Sequence, residues 1–279
     1  MKKIGFIADF YQQELPGGGE SNDMNLIKHL EINNDITCYK SNEVSTTDLK
    51  TLDVILVGNF VLLTEDVKRY LINNKKYIIY EHDHKYVSTR DPSLFLNFNV
   101  PDNKIINRDF YEGSYCTVVL SEVCKKVLEL NLPNVKVENI GCSLWSEAKF
   151  HLLKKLSKTK KNGKTCIMYS DNPTKNYLKA QRYCMLKNIN YDSIPKQNHD
   201  DFLNTLSNYE TLLFLPKVLE TFSRLCCEAK MMNVNVMTNR KLIGFYSETS
   251  SELTGVELIE DMENKNKKAL ALFDRLINE

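Results

Sequence analysis

The chain has 279 residues, of which 42% are hydrophobic and 26% charged, so it has the composition of a globular protein and not of a disordered one. Its 37 Lys and Arg residues balance 36 Asp and Glu residues, and the formal charge of +1 excludes a global field that would attract nucleic acid. Residues 1–10 lack a signal-peptide cleavage pattern and no apolar run reaches the ~20 residues of a membrane span, so we expect a cytoplasmic protein.

The first half of the chain alternates short apolar runs with amphipathic segments. The apolar runs predict buried strands at 4–8, 54–57, 77–80, 117–121 and 135–140. The amphipathic segments predict helices at 22–30, 64–72 and 121–130. Because strand and helix alternate, we expect a parallel sheet with helices on both faces.

A lysine-rich stretch interrupts this pattern and ends at Asn162-Gly163. Its lysines are Lys154, Lys155, Lys158, Lys160, Lys161 and Lys164. We interpret it as a solvated linker, although such a stretch could also face an anionic acceptor or a membrane surface. The alternation then restarts, with strands predicted at 165–169, 211–215 and 234–238 and helices at 174–187, 200–206 and 223–232. We therefore predict two domains, residues 1–150 and 151–279.

The most informative segment is 215–229 (LPKVLETFSRLCCEA), which predicts a strand end, a short loop and a helix start. Glu220 and Glu228 stand eight positions apart across this boundary. At the carboxyl end of a parallel strand, amides that open the next helix can hold a diphosphate, while carboxylates bind sugar hydroxyls. The plainer alternative is an Arg224–Glu228 surface pair worth ~0.2–0.5 kcal/mol, which leaves Glu220 unexplained.

This segment resembles the retaining GT-B glycosyltransferases, a family that includes glycogen synthases and bacterial mannosyl- and glucosyltransferases. Their second domain carries E-x-x-x-x-x-x-x-E in the context P…E-G-F-G…E-A, and Pro216, Phe222 and Ala229 match it in addition to the glutamates. The resemblance implies an α/β fold of the GT-B type, with two Rossmann-like doubly wound domains facing across a cleft. Residues 1–150 would form the acceptor side, and 151–279 would bind the nucleotide sugar.

The resemblance also implies a role for each matching residue. Glu220 would lie against the donor sugar, and Glu228 would accept hydrogen bonds from the ribose hydroxyls. The backbone from Thr221 to Leu225 would offer amides to the donor phosphates, with Thr221, Phe222, Ser223 and Arg224 as the candidate donor-binding residues. Residues 241–248 lie where the family has a glycine-containing donor loop.

A further match is 170–176 (SDNPTKN), which resembles the family's G-R…P-x-K-G. Lys175 falls on the lysine that contacts the leaving diphosphate. The usual arginine is missing, with Tyr169 or Ser170 near its place, and Asn176 replaces the glycine. Arg224 could supply a replacement cation. The plainer alternative is an exposed lysine at a helix start.

Two features of the first half complete the predicted site. The sequence Pro16-Gly17-Gly18-Gly19-Glu20 follows the first strand, where the family has a glycine pair near the donor phosphates, so Gly18 and Gly19 are candidate donor-binding residues. His82 follows a strand where related enzymes often present a histidine toward the reaction centre.

A metal site at 81–84 (EHDH) is the alternative for this histidine. Neighbours on an extended chain point to opposite faces and rarely close one coordination shell. The eight cysteines also lack C-x-x-C spacing, so we predict no metal and expect buried, reduced thiols.

The resemblance thus implies a retaining hexosyltransferase that moves a sugar from a nucleoside diphosphate sugar by front-side displacement, with Glu220, Lys175 and His82 as its catalytic residues. It needs no cofactor beyond that co-substrate, and its acceptor is left open as a glycan, lipid, protein or nucleic acid. The alternatives are a GT-B-fold sugar-nucleotide epimerase and a nucleotide-sugar-binding protein without activity.

Overall fold

The computed structural model describes residues 1–15 and 17–279. These residues divide into two compact units. The first unit contains Met1–Trp145 and Lys265–Glu279, and the second contains Ser146–Asn264. The end of the chain, which the sequence prediction placed in the second domain, therefore belongs to the first unit.

The described part of the first unit has a six-stranded parallel sheet in the order β2-β1-β3-β4-β5-β6. Its strands are β1 (Lys3–Ala8), β2 (Asp35–Lys40), β3 (Val54–Val57), β4 (Lys76–Tyr80), β5 (Cys116–Val119) and β6 (Val137–Asn139). Its α-helices are α1 (Gly18–Leu30), α2 (Glu65–Asn74), α3 (Arg108–Glu112) and α4 (Glu122–Asn131). The predicted alternation of strand and helix is confirmed here.

The central strands of this sheet are apolar because both faces are covered. All four residues of β3 (VILV) are buried, as are all four of β5. β3 pairs with β1 and with β4, so that Leu56 lies in register with Phe6 and with Ile78. Continuous apolar runs are typical of parallel strands buried on both faces, and this is why the sequence located them.

The described part of the second unit has a four-stranded parallel sheet in the order β10-β9-β7-β8. Its strands are β7 (Thr165–Met168), β8 (Tyr191–Ile194), β9 (Thr211–Phe214) and β10 (Asn235–Thr238). Its α-helices are α5 (Glu147–Leu156), α6 (Tyr177–Leu186), α7 (His199–Leu206), α8 (Arg224–Met231) and the first part of α9 (Gly255–Asn278). This second parallel α/β unit confirms the predicted fold class.

The lysine-rich linker prediction is wrong at its start, because residues 154–156 belong to α5. Phe150, Leu153 and Leu156 are buried at helical spacing, while Lys154 pairs with Glu263. The predicted division at residue 150 therefore falls inside a helix. The remaining part of the stretch, 157–164, connects α5 to β7.

The predicted helix at 174–187 begins later than expected. Residues Pro173–Lys175 form a 3-10 turn, and α6 starts after Asn176, whose φ of 58° lies in the left-handed region. A residue in that conformation cannot continue a right-handed helix. Among the described residues, no helix combines the length and the apolar composition that crossing a membrane requires.

Candidate functional site

The second sheet has a topological switch point between β7 and β9. From β7 the chain passes to β8 on one side, and then returns to β9 and β10 on the other. The loops that follow β7 and β9 therefore lead in opposite directions from the carboxyl ends of these two strands. Open α/β sheets bind ligands in the crevice at such a point. A backbone bond joins the loops, since the Lys217 amide donates to the Thr174 carbonyl at 2.8 Å.

These two loops bring Lys175 and Glu220 together. The Lys175 ammonium nitrogen lies 2.8 and 3.0 Å from the two carboxylate oxygens of Glu220. The side chain of Lys175 is 32% exposed and that of Glu220 is 13% exposed, so both remain open to a ligand at the edge of the sheet. A partly exposed ion pair of this kind adds little stability.

The Glu220 backbone is fixed by the segment that follows β10. Its amide donates to the Leu242 carbonyl at 2.9 Å, and its carbonyl accepts from the Gly244 amide at 2.8 Å. One step later, the Phe245 amide donates to the Phe222 carbonyl at 2.8 Å, and the two rings pack with centroids 5.5 Å apart. Phe222 is thus a buried core side chain, and only its backbone amide is left as a candidate phosphate contact. The loop predicted at 241–248 supports the glutamate loop.

Two residues that replace family glycines adopt a glycine-like conformation. Asn176 has φ 58° and ψ 42°, and Ser223 has φ 68° and ψ 81° at the start of α8. Asparagine tolerates the left-handed region better than most residues, whereas serine is strained there. Both positions therefore have a backbone conformation that glycine would adopt without strain.

Glu228 lies one helical turn inside α8 and is the centre of a charged cluster. Its side chain is 2% exposed, and its Oε1 accepts from Arg224 Nη2 at 3.3 Å. Its Oε2 lies 2.9 Å from Nε2 of His199, the first residue of α7, whose side chain is 43% exposed. The Arg224–Glu228 pair of the plainer alternative does form, but within this larger cluster. Sequence reasoning missed His199.

In the first unit, Gly18 and Gly19 form the first turn of α1, with Gly17 as its N-cap. Pro16 of the same motif lies outside the described residues. A Cβ atom on Gly19 would lie 3.4 Å from Cγ of His82, so the structure brings the predicted glycines and the predicted histidine together. Next to them, burial raises the pKa of the Glu20 carboxyl group above its ordinary value.

His82 pairs with a carboxylate that the sequence did not identify. Its Nε2 lies 2.7 Å from Oδ1 of Asp23 on α1, and the side chains are 4% and 1% exposed. The Tyr80 ring packs edge-on against the imidazole at 4.3 Å. A carboxylate on one imidazole nitrogen fixes the tautomer and the ring orientation. The pairing with Asp23 therefore orients the His82 ring, so that its other nitrogen points in a fixed direction for donating or accepting a proton.

Glu81 and His84 of the 81–84 segment are buried and contact core residues, whereas Asp83 is partly exposed and pairs with Lys85 and Arg90. Glu81 accepts from Lys85 Nζ at 2.7 Å and from the Tyr111 hydroxyl. Burial alone would raise the pKa of Glu81, but the Lys85 ammonium and the Tyr111 hydroxyl bring it below its ordinary value. His84 lies 3.1 Å from the Tyr86 hydroxyl. Within residues 1–15 and 17–279, no group of three or more His, Cys, Asp or Glu side chains is arranged to hold a metal ion.

No profile of a known protein family matches this sequence, and no curated protein sequence matches it either. Solved structures do match it. A glycosyltransferase from Rickettsia africae ESF-5 gives a TM-score of 0.60 at 11% identity, over 99% of this chain and 98% of that chain. HepE of Anabaena in complex with UDP-glucose gives 0.54 at 11% identity, over 96% and 89%.

A UDP-GlcNAc 2-epimerase of Methanocaldococcus jannaschii, in complex with UDP-GlcNAc and UDP, gives a TM-score of 0.52 at 14% identity, over 94% of this chain and 93% of that chain. At such identities the similarity concerns the fold. Together with the two parallel sheets, these matches over nearly the whole chain establish that the protein has the GT-B fold, as the sequence predicted.

Proposed function

We propose that the protein is a retaining glycosyltransferase that takes a hexose-type sugar from a nucleoside diphosphate sugar. The observation that supports this best is the contact of Lys175 with both carboxylate oxygens of Glu220, at 2.8 and 3.0 Å. The sequence assigned one residue to the leaving diphosphate and the other to the donor sugar. Lys175 and Glu220 are 45 residues apart in the chain, and the fold brings them into contact at the switch point of the second sheet.

The charges of this pair suit the two halves of a sugar diphosphate. A diphosphate entering the site would draw the Lys175 ammonium away from Glu220. The ammonium and the backbone amides that open α8 would then balance the negative charge of the diphosphate. Glu220 would then be released to accept hydrogen bonds from sugar hydroxyls. In front-side displacement the leaving diphosphate helps to take the acceptor proton, and Lys175 stabilises the charge that grows on it.

We assign the nucleoside to the Glu228 end of the same loop. Five residues of α-helix rise about 7.5 Å, so Glu228 lies about that far along α8 from Ser223, where the phosphates are predicted to bind. Its charged cluster offers hydrogen-bonding groups there. Arg224, which could replace the missing arginine, also belongs to this cluster.

In the first unit, we assign His82 to the acceptor or the donor sugar and α1 to the donor phosphates. The Asp23 carboxylate 2.7 Å from His82 Nε2 supports a chemical role, because it orients the imidazole. Gly18 and Gly19 lie in the first turn of α1, where backbone amides have no acceptor within the helix. The Glu20 carboxylate next to them opposes phosphate binding when it is ionised.

One specific observation favours each of the two alternative functions, the epimerase and the inactive binding protein. An epimerase shares this fold, as the match with the UDP-GlcNAc 2-epimerase illustrates. A binding protein without activity is suggested by the missing arginine near Tyr169. We prefer the transferase because Glu220 and Glu228 stand in the motif context of the transferase family.

Product analysis would separate the three functions. The protein is incubated with UDP-, GDP- and ADP-linked sugars, with and without glycan, lipid, peptide and oligonucleotide acceptors, and released nucleotide and sugar products are measured. We expect nucleotide release that an acceptor accelerates, with the anomeric configuration of the donor retained in the product. Epimerised or hydrolysed donor regardless of acceptor would identify the epimerase. Saturable binding without any turnover would identify the inactive binding protein.

A further inference from the structure

The cluster around Glu228 contains a histidine that the motif does not account for. His199 is the first residue of α7 and is 29 positions away from Glu228 in the chain. The helix leads from β8 back to β9, so His199 follows a strand end at the same sheet edge as the β7 and β9 loops. Its imidazole Nε2 lies 2.9 Å from Glu228 Oε2.

Solvent exposure indicates which side chain of the His199–Glu228 pair a ligand would contact first. The Glu228 side chain is 2% exposed, whereas the His199 side chain is 43% exposed. The carboxylate also accepts from Arg224 on its other oxygen, with an N–O distance of 3.3 Å. A hydroxyl that bonded directly to Oε2 of Glu228 would therefore have to displace His199.

The hydrogen-bonding chemistry of the pair points the same way. A carboxylate only accepts, so His199 Nε2 must donate to Glu228, and in the neutral imidazole Nδ1 is then an acceptor. An acceptor nitrogen oriented by a buried carboxylate can accept a hydrogen bond from a sugar hydroxyl. The arrangement would place the imidazole between the ribose and the carboxylate.

We infer that His199 is the side chain that recognises the ribose of the nucleotide, with Glu228 behind it as a positioning residue. This inference rests on the proposed function, because it needs a nucleotide at the Glu228 end of the loop. It gives the protein a specificity determinant for ribonucleotides over 2′- or 3′-deoxynucleotides. It also moves the predicted ribose contact of Glu228 to a residue on a different helix.

The test measures how well the protein discriminates ribose from deoxyribose. UDP, GDP and ADP are titrated into the protein by calorimetry, and the tightest of them is compared with its 2′-deoxy and 3′-deoxy forms. We expect the wild-type protein to prefer the ribose form over at least one deoxy form. In His199→Ala the ribose form should weaken about tenfold while that deoxy form is nearly unchanged, so that the preference disappears. His199→Gln should restore part of it, because an amide oxygen can still accept from the hydroxyl.

Control variants separate this role from a structural one. His151→Ala removes an exposed histidine from α5 of the same unit and should leave both affinities unchanged. A merely structural loss at His199 would weaken ribose and deoxyribose forms equally, which would overturn the inference. A preference that persists in His199→Ala but disappears in Glu228→Ala would also overturn it and return the contact to Glu228. Failure of the wild-type protein to bind any of these nucleotides would instead refute the proposed function, and the inference with it.

Discussion

Replacing Glu220 by glutamine should separate nucleotide binding from sugar transfer. Gln keeps the shape and one acceptor oxygen but removes the negative charge, which the structure places in a 13% exposed position at the sheet edge. A hydrogen bond to a charged group is worth about 1.5–3 kcal/mol. If Glu220 binds the sugar more strongly as positive charge develops in the transition state, kcat should fall by about 10²-fold, or ~2.7 kcal/mol.

The same structure predicts what should stay constant. The Lys175–Glu220 pair is partly exposed, so its loss should cost less than about 1 kcal/mol of folding free energy. Bare nucleoside diphosphate carries no donor hexose for Glu220 to contact, and Gln no longer competes for the Lys175 ammonium through a negative charge, so the affinity for this ligand should not fall. The assay pairs calorimetry with nucleotide release from the sugar donor on the purified variant.

A matched control is available in the second unit. Glu263 also faces a lysine with both oxygens, at 2.7 and 2.8 Å from Lys154 Nζ, and is 27% exposed. Glu263→Gln should leave kcat unchanged. Wild-type turnover in Glu220→Gln would remove Glu220 from the active site and refute the reasoning.

Three further predictions address the metal, the loop strain and the pH dependence. Activity should survive EDTA, and its complete loss with recovery on adding Mg²⁺ or Mn²⁺ would return attention to residues 81–84 as ligands. Ser223→Gly should raise the free energy of unfolding by about 1 kcal/mol in thermal denaturation, because a φ of 68° strains serine; Thr221→Gly, without such a φ, should not, and equal effects would exclude strain as the cause. Burial raises the pKa of Glu20, so its ionised form costs stability above that pKa and the cost disappears toward lower pH. Glu20→Gln should therefore raise Tm more at pH 8 than at pH 4, and a constant difference would contradict this.

The sequence predicted the parts of the fold that produce a strong periodic signal. β1, β3 and β4 are buried apolar runs, and their positions were predicted to within one residue. β2 and β8 were missed because they lie at sheet edges and carry polar, partly exposed side chains. An edge strand has one neighbour and less covered surface, so it needs no continuous apolar run.

The long helix α9 was missed although its sequence does carry a signal. Its buried apolar residues recur at helical spacing, and they include Leu258, Ile259, Met262, Phe273, Leu276 and Ile277. Charged and amide residues separate these apolar positions, so a search for continuous apolar runs does not find the helix. This helix also carries the chain end into the first unit, which no local pattern could predict.

The candidate site was predictable where its residues stand in a motif beside a strand. Lys175 and Glu220 each follow a strand of the second sheet, so their proximity follows once β7 and β9 are neighbours. Asp23 and His199 were missed because their partners lie 59 and 29 positions away on other elements. Each belongs to a helix whose start follows a strand end, and only the fold reveals what it faces.

The central claim is that the loops after β7 and β9 bind the diphosphate of a nucleotide sugar. Its most direct test is a calorimetric titration of UDP, GDP and ADP into the wild-type protein, Lys175→Ala and Lys154→Ala. We predict saturable binding of at least one nucleotide to the wild-type protein, at least tenfold weaker binding to Lys175→Ala, and no change in Lys154→Ala, because Lys154 pairs with Glu263 on α5 and α9 instead. Equal affinity of the wild-type protein and Lys175→Ala for the bound nucleotide, or no binding of any of the three by the folded protein, would contradict the account.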